Sequence, residues 1–336
     1  MGVVHEHCSV DRASYGYGLY AGDTINPGST LCAIPSKVCI SAPSDSSSAL
    51  DSIARSLCDE VARGEAGFFA PFIDILPKDT SYIPACYDGD RLQTSLAGTA
   101  LSLDALKMRG DWNRDFDARR DDGTSREMYM WARATLQGRA YRVGEVISFI
   151  PFVTFANHDD AMVGSSYLYP AFSNGVSYPK DFIVLQADRR YVRGQKILTS
   201  YGSLSFQQKL LSFGYTDRAS SFGITAIDIP RSASGEQVEI RTSIEWDLVT
   251  PRGKSIDVKK EVSRAIRIMS AACTCSKEQS IATIKAFLSM RIGDLKRGVD
   301  ADYLAPECHL ADDADDDTVR KVEINSIFAI IREMES

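Results

Sequence analysis

The stretch from Ser14 to Ile40 constrains the fold most, because short apolar runs alternate there with strong turn signals. The turn signals are Gly22-Asp23, Asn26-Pro27-Gly28 and Pro35-Ser36. Glycine and proline interrupt regular elements, and brief apolar runs between such signals are typical of strands joined by tight turns. The sequence therefore predicts a set of short strands in this part of the chain.

Composition limits the class of protein. The chain has 336 residues, 44% of them hydrophobic, which is enough for one large or two modest cores. A formal net charge of -7 argues against nonspecific nucleic-acid binding and is compatible with a basic protein or peptide partner. The eight cysteines show no repeated spacing, and neither a signal segment nor an apolar run near membrane-spanning length is present. We expect an intracellular protein, cytoplasmic or nuclear, with reduced thiols and no membrane association.

Helical and strand patterns follow one another along the chain. Ile53, Leu57 and Val61 predict a helix over residues 50–63, and the apolar spacing between residues 126 and 141 predicts another. The serine-rich residues 41–48 are expected to form a loop, and the charged residues 111–122 a solvated surface segment. Strands are predicted at residues 165–169 and 182–187, and a turn entering a further strand at residues 192–198.

The C-terminal third has a mixed pattern that becomes helical. Strands or extended segments are predicted at residues 222–229 and 237–249, and helices at residues 262–272, 277–295 and 318–334. One apolar stripe is interpreted as a core face and consists of Ile281, Ile284, Leu288, Ile292 and Leu295. The acidic run at residues 312–317 lacks the glycine and distal glutamate of a calcium loop and is interpreted as a solvated helix N-terminus.

The pair Asn157-His158 ends an apolar run that should be buried. Buried polar side chains need partners, so the pair either forms hydrogen bonds within a turn or contacts a ligand. Gly16 and Gly18 have two interpretations as well, since they fit either a tight turn into a strand or a backbone that a ligand approaches closely. Arg139 follows a predicted helix, where it fits either the helix macrodipole or a bound carboxylate.

These stretches, together with Ser200-Tyr201-Gly202, resemble a SET-domain methyltransferase of the Rubisco-methyltransferase-like branch. The resemblance covers roughly residues 14–216 and implies a helix over residues 204–215. It implies an α+β fold in which a SET domain of small sheets, residues 1–216, carries a helical insertion at about residues 50–140. A mainly helical, substrate-binding-like domain would occupy residues 217–336.

The resemblance also implies a site for S-adenosyl-L-methionine. The residues that it assigns to this cofactor are Gly16, Tyr17, Gly18, Leu19, Arg139, Asn157, His158, Tyr201, Phe213 and Tyr215. Tyr201 is the predicted catalytic residue, because methyl transfer to an amine needs a neutral nucleophile held in line more than it needs a strong base. Tyr169 would line the channel for the substrate side chain together with Phe213 and Tyr215.

The predicted activity is protein-lysine N-methylation, with histidine as an alternative acceptor. A catalytically silent SET-fold binding module is the competing interpretation, because several residues depart from the family pattern. Gly138 replaces a serine, Thr154 an aspartate and Phe206 an asparagine, and Gln195-Lys196 stands where an acidic residue is common. Phe213 and Tyr215 also exchange the family's order of tyrosine and phenylalanine. A nucleic-acid methyltransferase is disfavoured, since a basic patch and the usual nucleotide-binding fingerprint are missing.

Zinc needs separate consideration, because some SET enzymes end in a cysteine-rich zinc motif. Cys273-Thr274-Cys275 and Cys308-His309 are the available ligands, but they are far apart and lack zinc-finger spacing. We predict no metal site.

Overall fold

The computed structural model describes the greater part of the chain. The residues described are 3–4, 7–12, 17–46, 48–89, 91–92, 96, 99–119, 123–158, 167–170, 181–199, 206–214, 224–232, 239–247, 257–273, 276–296 and 316–335. They form two units, one of residues 1–81 and 109–202 and a second of residues 82–108 and 203–336. The predicted boundary after residue 216 stays a prediction.

Short strands occupy the first unit, as the alternation of apolar runs and turn signals predicts. The strands of the whole chain are β1 Val3–Val4, β2 Cys8–Arg12, β3 Tyr17–Ala21, β4 Thr30–Pro35, β5 Ile40–Pro43, β6 Ala140–Val143, β7 Val146–Phe149, β8 Asn157–His158, β9 Tyr167–Pro170, β10 Phe182–Gln186, β11 Leu198–Thr199, β12 Ile224–Ser232 and β13 Glu239–Asp247. Those predicted at residues 165–169, 182–187, 222–229 and 237–249 are confirmed as β9, β10, β12 and β13.

The strands pair in several small sheets rather than one large one. The sheet orders are β1-β4-β10-β9 and β5-β7-β6, both antiparallel, with further pairs β2-β3, β12-β13 and the parallel pair β8-β11. The expected loop at residues 41–48 is partly wrong, since Ser41 to Pro43 belong to β5 and pair with β7. Ser41 and Ser148 face each other there, and their hydroxyls hydrogen bond at 2.7 Å.

Among the described residues, the first unit has two apolar clusters, and one of them lies mainly among its strands. It includes Leu19, Ile25, Leu31, Ile34, Val143, Ile150, Val153, Ile183, Leu185, Tyr191 and Ile197. Strand β4 contributes to it throughout, because five of its six residues, from Leu31 to Pro35, are buried. A core strand buried along its length reads as a continuous apolar run, which the sequence shows at this place.

Helices make up the insertion and the C-terminal third. They are α1 Ala49–Ala62, α2 Ala70–Asp74, α3 Ala100–Asp117, α4 Arg126–Gln137, α5 Phe206–Phe213, α6 Val258–Cys273, α7 Lys277–Lys296 and α8 Asp316–Glu335. The helices predicted at residues 50–63, 126–141, 204–215, 262–272, 277–295 and 318–334 are confirmed within a few residues. No helix among the described residues is both long enough and apolar enough to cross a membrane.

A buried network of charged groups joins α1, α3 and α4. Asp51 accepts hydrogen bonds from Arg55 Nε at 3.1 Å and from the Tyr129 hydroxyl at 2.6 Å. Arg133 Nη1 donates to the Tyr129 hydroxyl at 3.1 Å and pairs with Asp115 at 2.6 Å. Burial raises the pKa of Tyr129, so its phenol stays protonated and donates to the Asp51 carboxylate. The network ties the three helices to one another.

The prediction that residues 111–122 form a solvated segment is wrong for residues 111–117. These residues continue α3, and Trp112 and Phe116 are buried, with 1% and 7% of their surfaces exposed. Residues four apart lie on one helix face, so two aromatic side chains give this charged segment an apolar side.

The second unit has its own core. The stripe predicted on α7 packs there, since Ile284, Leu288 and Leu295 are fully buried against residues of α6 and α8. A second cluster joins Leu92, Leu101 and Ala105 to Leu210 of α5 and Val322 of α8. Residues 82–108 therefore pack with helices that follow more than a hundred residues later in the sequence.

Candidate active site

Strand β3 brings Gly18 to one face of its hairpin. The Leu19 side chain is fully buried in the core, and because side chains alternate along a strand, Gly18 and Tyr20 lie on the other face. A Cβ atom on Gly18 would lie 3.0 Å from Cε2 of Tyr20 and 3.3 Å from Nδ2 of Asn157. Gly18, Tyr20 and Asn157 therefore meet, and the absence of a side chain at Gly18 lets the other two approach.

Asn157 and His158 form the short strand β8 rather than a turn. This strand pairs in parallel with β11, so that Asn157 lies opposite Leu198 and His158 opposite Thr199. The described side chain of Asn157 is half-buried. Ser200 and Tyr201 follow β11 directly in sequence and lie outside the described residues.

The segment that leads into β11 also pairs with β3 through its backbone. The Gly194 amide donates to the Ala21 carbonyl at 2.7 Å, and the Ala21 amide donates to the Gln195 carbonyl at 2.9 Å. Farther along, the Ile197 amide donates to the Leu19 carbonyl at 2.8 Å. One segment thus contacts both the strand that carries Gly18 and the strand that carries Asn157.

The chain enters β8 through a strained turn at Phe152. Its backbone angles are φ 70° and ψ -54°, and the Val153 amide donates to the Pro151 carbonyl at 2.9 Å across it. These features define a γ-turn, which is rare because a side chain is disfavoured at positive φ. Strained residues of this kind occur preferentially at functional sites, where the surrounding packing holds them in place.

Packing around the turn fixes the approach to Asn157. The Tyr17 ring packs edge-on against Phe155 at a centroid distance of 6.1 Å, and Phe72 packs on the same ring at 5.9 Å. The Tyr141 hydroxyl donates to the Val153 carbonyl at 3.5 Å. Tyr17, a predicted cofactor residue, therefore also supports the 3-10 turn that precedes β8.

Arg139 lies in the turn between α4 and β6. Its amide donates to the Leu136 carbonyl at 3.1 Å, and its side chain is half-buried. Strand β6 begins at the next residue and contains Tyr141, whose hydroxyl donates to the Val153 carbonyl. Arg139 is thus two residues along the chain from a direct contact with the turn before Asn157.

The other predicted site residues are described less fully. Gly16, Tyr201 and Tyr215 lie outside the described residues, and only the backbone is described for His158 and Tyr169. Tyr169 lies in β9 opposite Val184 of β10. Phe213 is the last residue of α5, and its side chain is half-buried.

Thr154 occupies the position at which the resemblance implies an aspartate. The side chain is buried, with 5% of the residue exposed, and its hydroxyl oxygen finds no hydrogen-bond partner within the described part of the chain. A carboxylate at this position would bring a negative charge that Thr154 does not supply.

Tyr20 and Lys196 lie beside the site but are not predicted from the sequence as site residues. Tyr20 lies two positions after Gly18, and the alternation of side chains along a strand is a signal that would have found it. Lys196 pairs with Tyr20 in an antiparallel bridge, a contact between segments that are distant in sequence. The sequence alone shows Lys196 only as a departure in charge.

The two cysteine-containing zinc candidates contribute no described ligand. The Cys273 side chain and residues 274–275 and 308–309 lie outside the description. Among the side chains that are described, no group of three or more histidine, cysteine, aspartate or glutamate residues is placed to hold a metal ion.

The arrangement of small sheets, helical insertion and parallel β8-β11 pair is that of a SET-domain fold, which confirms the predicted fold class. The SET domain of LSMT bound to lysine and AdoHcy matches with a TM-score of 0.72 at 14% identity, covering 99% of this chain and 88% of that chain. Rubisco LSMT bound to AdoMet matches with a TM-score of 0.67 at 13% identity, covering 98% of this chain and 86% of that one.

A further structure, Rubisco LSMT bound to sinefungin and monomethyllysine, gives a TM-score of 0.62 at 12% identity over 98% of this chain and 85% of that chain. The chain therefore has the fold of Rubisco LSMT over nearly its whole length. No family model and no curated protein matches the sequence.

Proposed function

We propose that this chain is an S-adenosyl-L-methionine-dependent protein methyltransferase that acts on lysine. The observation that carries the proposal is the meeting of Gly18 and Asn157 on one face of a SET-domain fold. Structures with this fold have been solved with AdoMet, AdoHcy, lysine and monomethyllysine bound. Those proteins bind the cofactor and lysine, and we propose that the present chain binds the same two classes of ligand.

The described residues fit a cofactor that carries an adenosyl group and an amino acid. Gly18 removes steric bulk beside the Asn157 amide, which can donate two hydrogen bonds and accept others. Arg139 supplies a guanidinium suited to the methionine carboxylate. When bound, the cofactor supplies a methyl group on a positively charged sulfur, and the chain's part is to hold the reactants.

Tyr201 is proposed to orient the acceptor amine, with Tyr169, Phe213 and Tyr215 shaping the channel. A hydroxyl at the end of this channel can hold the nitrogen lone pair in line with the methyl group. Aromatic walls exclude water and favour a cationic side chain before it loses its proton. These assignments rest on the sequence resemblance.

A catalytically silent binding module is the second candidate, and Thr154 is the observation that favours it. Its buried hydroxyl has no partner within the described part of the chain, where the resemblance implies a carboxylate. A SET fold that has lost catalysis would still bind a partner through its surface. Histidine remains the alternative acceptor if the chain is an enzyme.

Calorimetric titration of S-adenosyl-L-methionine tests the cofactor site. We expect the wild type to bind and Asn157→Ala to lose about tenfold or more in affinity, because buried hydrogen bonds to the ligand are removed. Asn26→Ala is the matched control, since Asn26 is an exposed asparagine in a turn outside the site. Absence of binding to folded wild-type protein would contradict the proposal.

Transfer of a labelled methyl group to proteins of a cell extract tests the activity itself. We expect labelling by the wild type and at least a tenfold loss in Tyr201→Phe, which keeps the ring and removes the hydroxyl. Hydrolysis of the labelled protein then separates methyllysine from methylhistidine. Cofactor binding without any labelled product would support the silent module.

A further inference from the structure

A cluster of positive side chains lies beside the candidate site, although the sequence is interpreted as having no basic patch. The run from residue 189 to residue 196 contains Arg189, Arg190, Arg193 and Lys196 and no acidic residue. Arg190, Arg193 and Lys196 are exposed. We call these three residues the basic rim. Their charge is opposite in sign to the net charge of the chain, which is -7.

The backbone that carries the basic rim is well anchored. Tyr191 is fully buried, and its amide and carbonyl hydrogen bond with Ile25 at 2.9 and 3.0 Å. A turn follows in which the Gln195 amide donates to the Val192 carbonyl at 3.0 Å. Gly194 adopts a φ of 79° at the third position of this turn, as a type II turn requires. The positive side chains therefore project from a fixed frame.

Lys196 connects the basic rim to the candidate site. It pairs with Tyr20 in an antiparallel bridge, and residues paired in this way extend their side chains to the same face. Tyr20 shares that face with Gly18, whose missing side chain allows the contact with Asn157. The ammonium group of Lys196 is thus exposed on the side of β3 where Gly18 and Asn157 meet.

Two carboxylates near the paired segments in sequence, Asp23 and Asp188, accept hydrogen bonds from other groups. Asp23 accepts a hydrogen bond from the Thr24 amide at 2.7 Å, and Asp188 accepts one from the Tyr191 hydroxyl at 3.1 Å. Within the described part of the chain, neither carboxylate pairs with a residue of the basic rim, and no other side chain does so. Among the residues that the structure describes, no ion pair therefore offsets the charge of the basic rim.

We infer that the basic rim selects peptide substrates with acidic residues next to the target amine. The inference rests on the proposed function, and it names the substrate class for that site. A peptide is favoured over a nucleic acid, because the aromatic ring in the rim segment, Tyr191, is buried and cannot stack on bases.

Fluorescence anisotropy with labelled peptides tests the inference. Each peptide has one central lysine, flanked by glutamates, by glutamines or by arginines. At low salt we expect the glutamate peptide to bind the wild type about fivefold more tightly than the glutamine peptide, and the arginine peptide to bind most weakly. The preference should decline as salt is added, since the charges are exposed.

Charge reversal on the rim provides the decisive comparison. Lys196→Glu, and more strongly the double variant Arg193→Glu with Lys196→Glu, should abolish or invert the preference. Lys37→Glu is the matched control, because Lys37 is an exposed lysine in the same unit and outside the rim, and it should keep the wild-type preference. Equal binding of glutamate and glutamine peptides by the wild type, or an unchanged preference in Lys196→Glu, would overturn the inference.

Two further measurements separate the possible failures. If a single-stranded oligonucleotide displaces the glutamate peptide and binds more tightly, the inference is overturned and the ligand of the basic rim is a nucleic acid. Titration of the same samples with S-adenosyl-L-methionine distinguishes the two proposals. Cofactor binding without a peptide preference, or without any peptide binding, overturns the inference alone. A rim-dependent preference without cofactor binding overturns the proposed function and leaves the rim as an acidic-peptide surface.

Discussion

Gly18 leads to a specific prediction at the scale of single residues. Alanine at this position would place Cβ 3.0 Å from the Tyr20 ring and 3.3 Å from the Asn157 amide, closer than nearly all such contacts. The Tyr20 ring and the Asn157 amide must then each shift by a few tenths of an ångström. We expect Gly18→Ala to weaken S-adenosyl-L-methionine binding by about tenfold, in a calorimetric titration.

Gly110→Ala is the control for this substitution. Gly110 lies inside α3, and the nearest atom to its added Cβ would be Arg114 Nη1 at 3.7 Å, an ordinary contact. Alanine should raise the free energy of unfolding by about 0.5–1 kcal/mol, because it favours the helix, and should leave binding unchanged. Undiminished cofactor affinity in Gly18→Ala would contradict the importance of the close approach.

The sequence predicts single residues where the signal is local. Asn157 and Gly18 could be singled out because a polar pair in an apolar run and a glycine at the start of a strand are visible in adjacent letters. Tyr20 and Lys196 acquire their place from the bridge between them, which depends on strand register. Phe152 is similar, since nothing in a phenylalanine indicates that its φ will be 70°.

At the scale of elements, the end of α5 depends on Gly214. Its φ is 70°, its amide donates to the Leu210 carbonyl at 2.9 Å, and an added Cβ would lie 2.8 Å from the Tyr82 carbonyl oxygen. The backbone of residue 82 cannot move aside as a flexible side chain could. We expect Gly214→Ala to lower the free energy of unfolding by about 2–4 kcal/mol in urea denaturation.

Gly123→Ala is the control that measures how much of the lost unfolding free energy is due to the positive φ alone. Gly123 also has a positive φ, 84°, but no atom of the described residues lies within 4 Å of its added Cβ. Only the left-handed conformation is then penalised, at about 1 kcal/mol. Equal losses in the two variants would show that the contact with Tyr82 adds nothing.

A helix or strand is predictable from sequence where its apolar residues recur with one regular spacing. The apolar spacing of Ile53 and Leu57 gives α1 almost to the residue. Helix α3 is not predicted, and residues 111–117 are interpreted as solvated because their acidic and basic residues outnumber the two buried aromatics, Trp112 and Phe116. Strand β5 is missed because it contains small and polar residues, and its place is set by pairing with β7.

At the scale of the whole molecule, the second unit is built from segments far apart in sequence. Glu323 of α8 is fully buried, and its carboxylate accepts a hydrogen bond at 3.0 Å from the amide of Ala100, the first residue of α3. A carboxylate at a helix N-terminus satisfies a free amide and complements the helix dipole. This contact joins residues 82–108 to the C-terminal helices.

We expect Glu323→Ala to lower the stability of the second unit by about 2–3 kcal/mol, because a buried hydrogen bond and a helix cap are lost together. Hydrogen exchange should show faster exchange at the start of α3 and in α8 alike. Glu335→Ala is the control, since Glu335 forms an exposed pair with Lys285 at 2.7 Å, worth less than about 1 kcal/mol. Faster exchange confined to α8 in Glu323→Ala would contradict the coupling.

The architecture as a whole is predictable from the sequence because the motifs occur in a characteristic order. Short strands, a helical insertion and a helical C-terminal part are all confirmed. The discontinuity of the second unit cannot be deduced from local patterns. It depends on contacts such as Glu323 with Ala100, and no periodicity links residues so far apart.

The pairing of β3 and β8 with the segment that leads into β11 affects the order in which the first unit can fold during synthesis. Gly18 and Asn157 come from early and late parts of the first unit, and Thr199 lies farther along still. A ribosome must therefore release nearly the whole first unit before these strands can join. Forming contacts at such separation is slow, because long loops must close first. The nascent chain therefore completes the face on which Gly18 and Asn157 meet only after residue 199 has been synthesised.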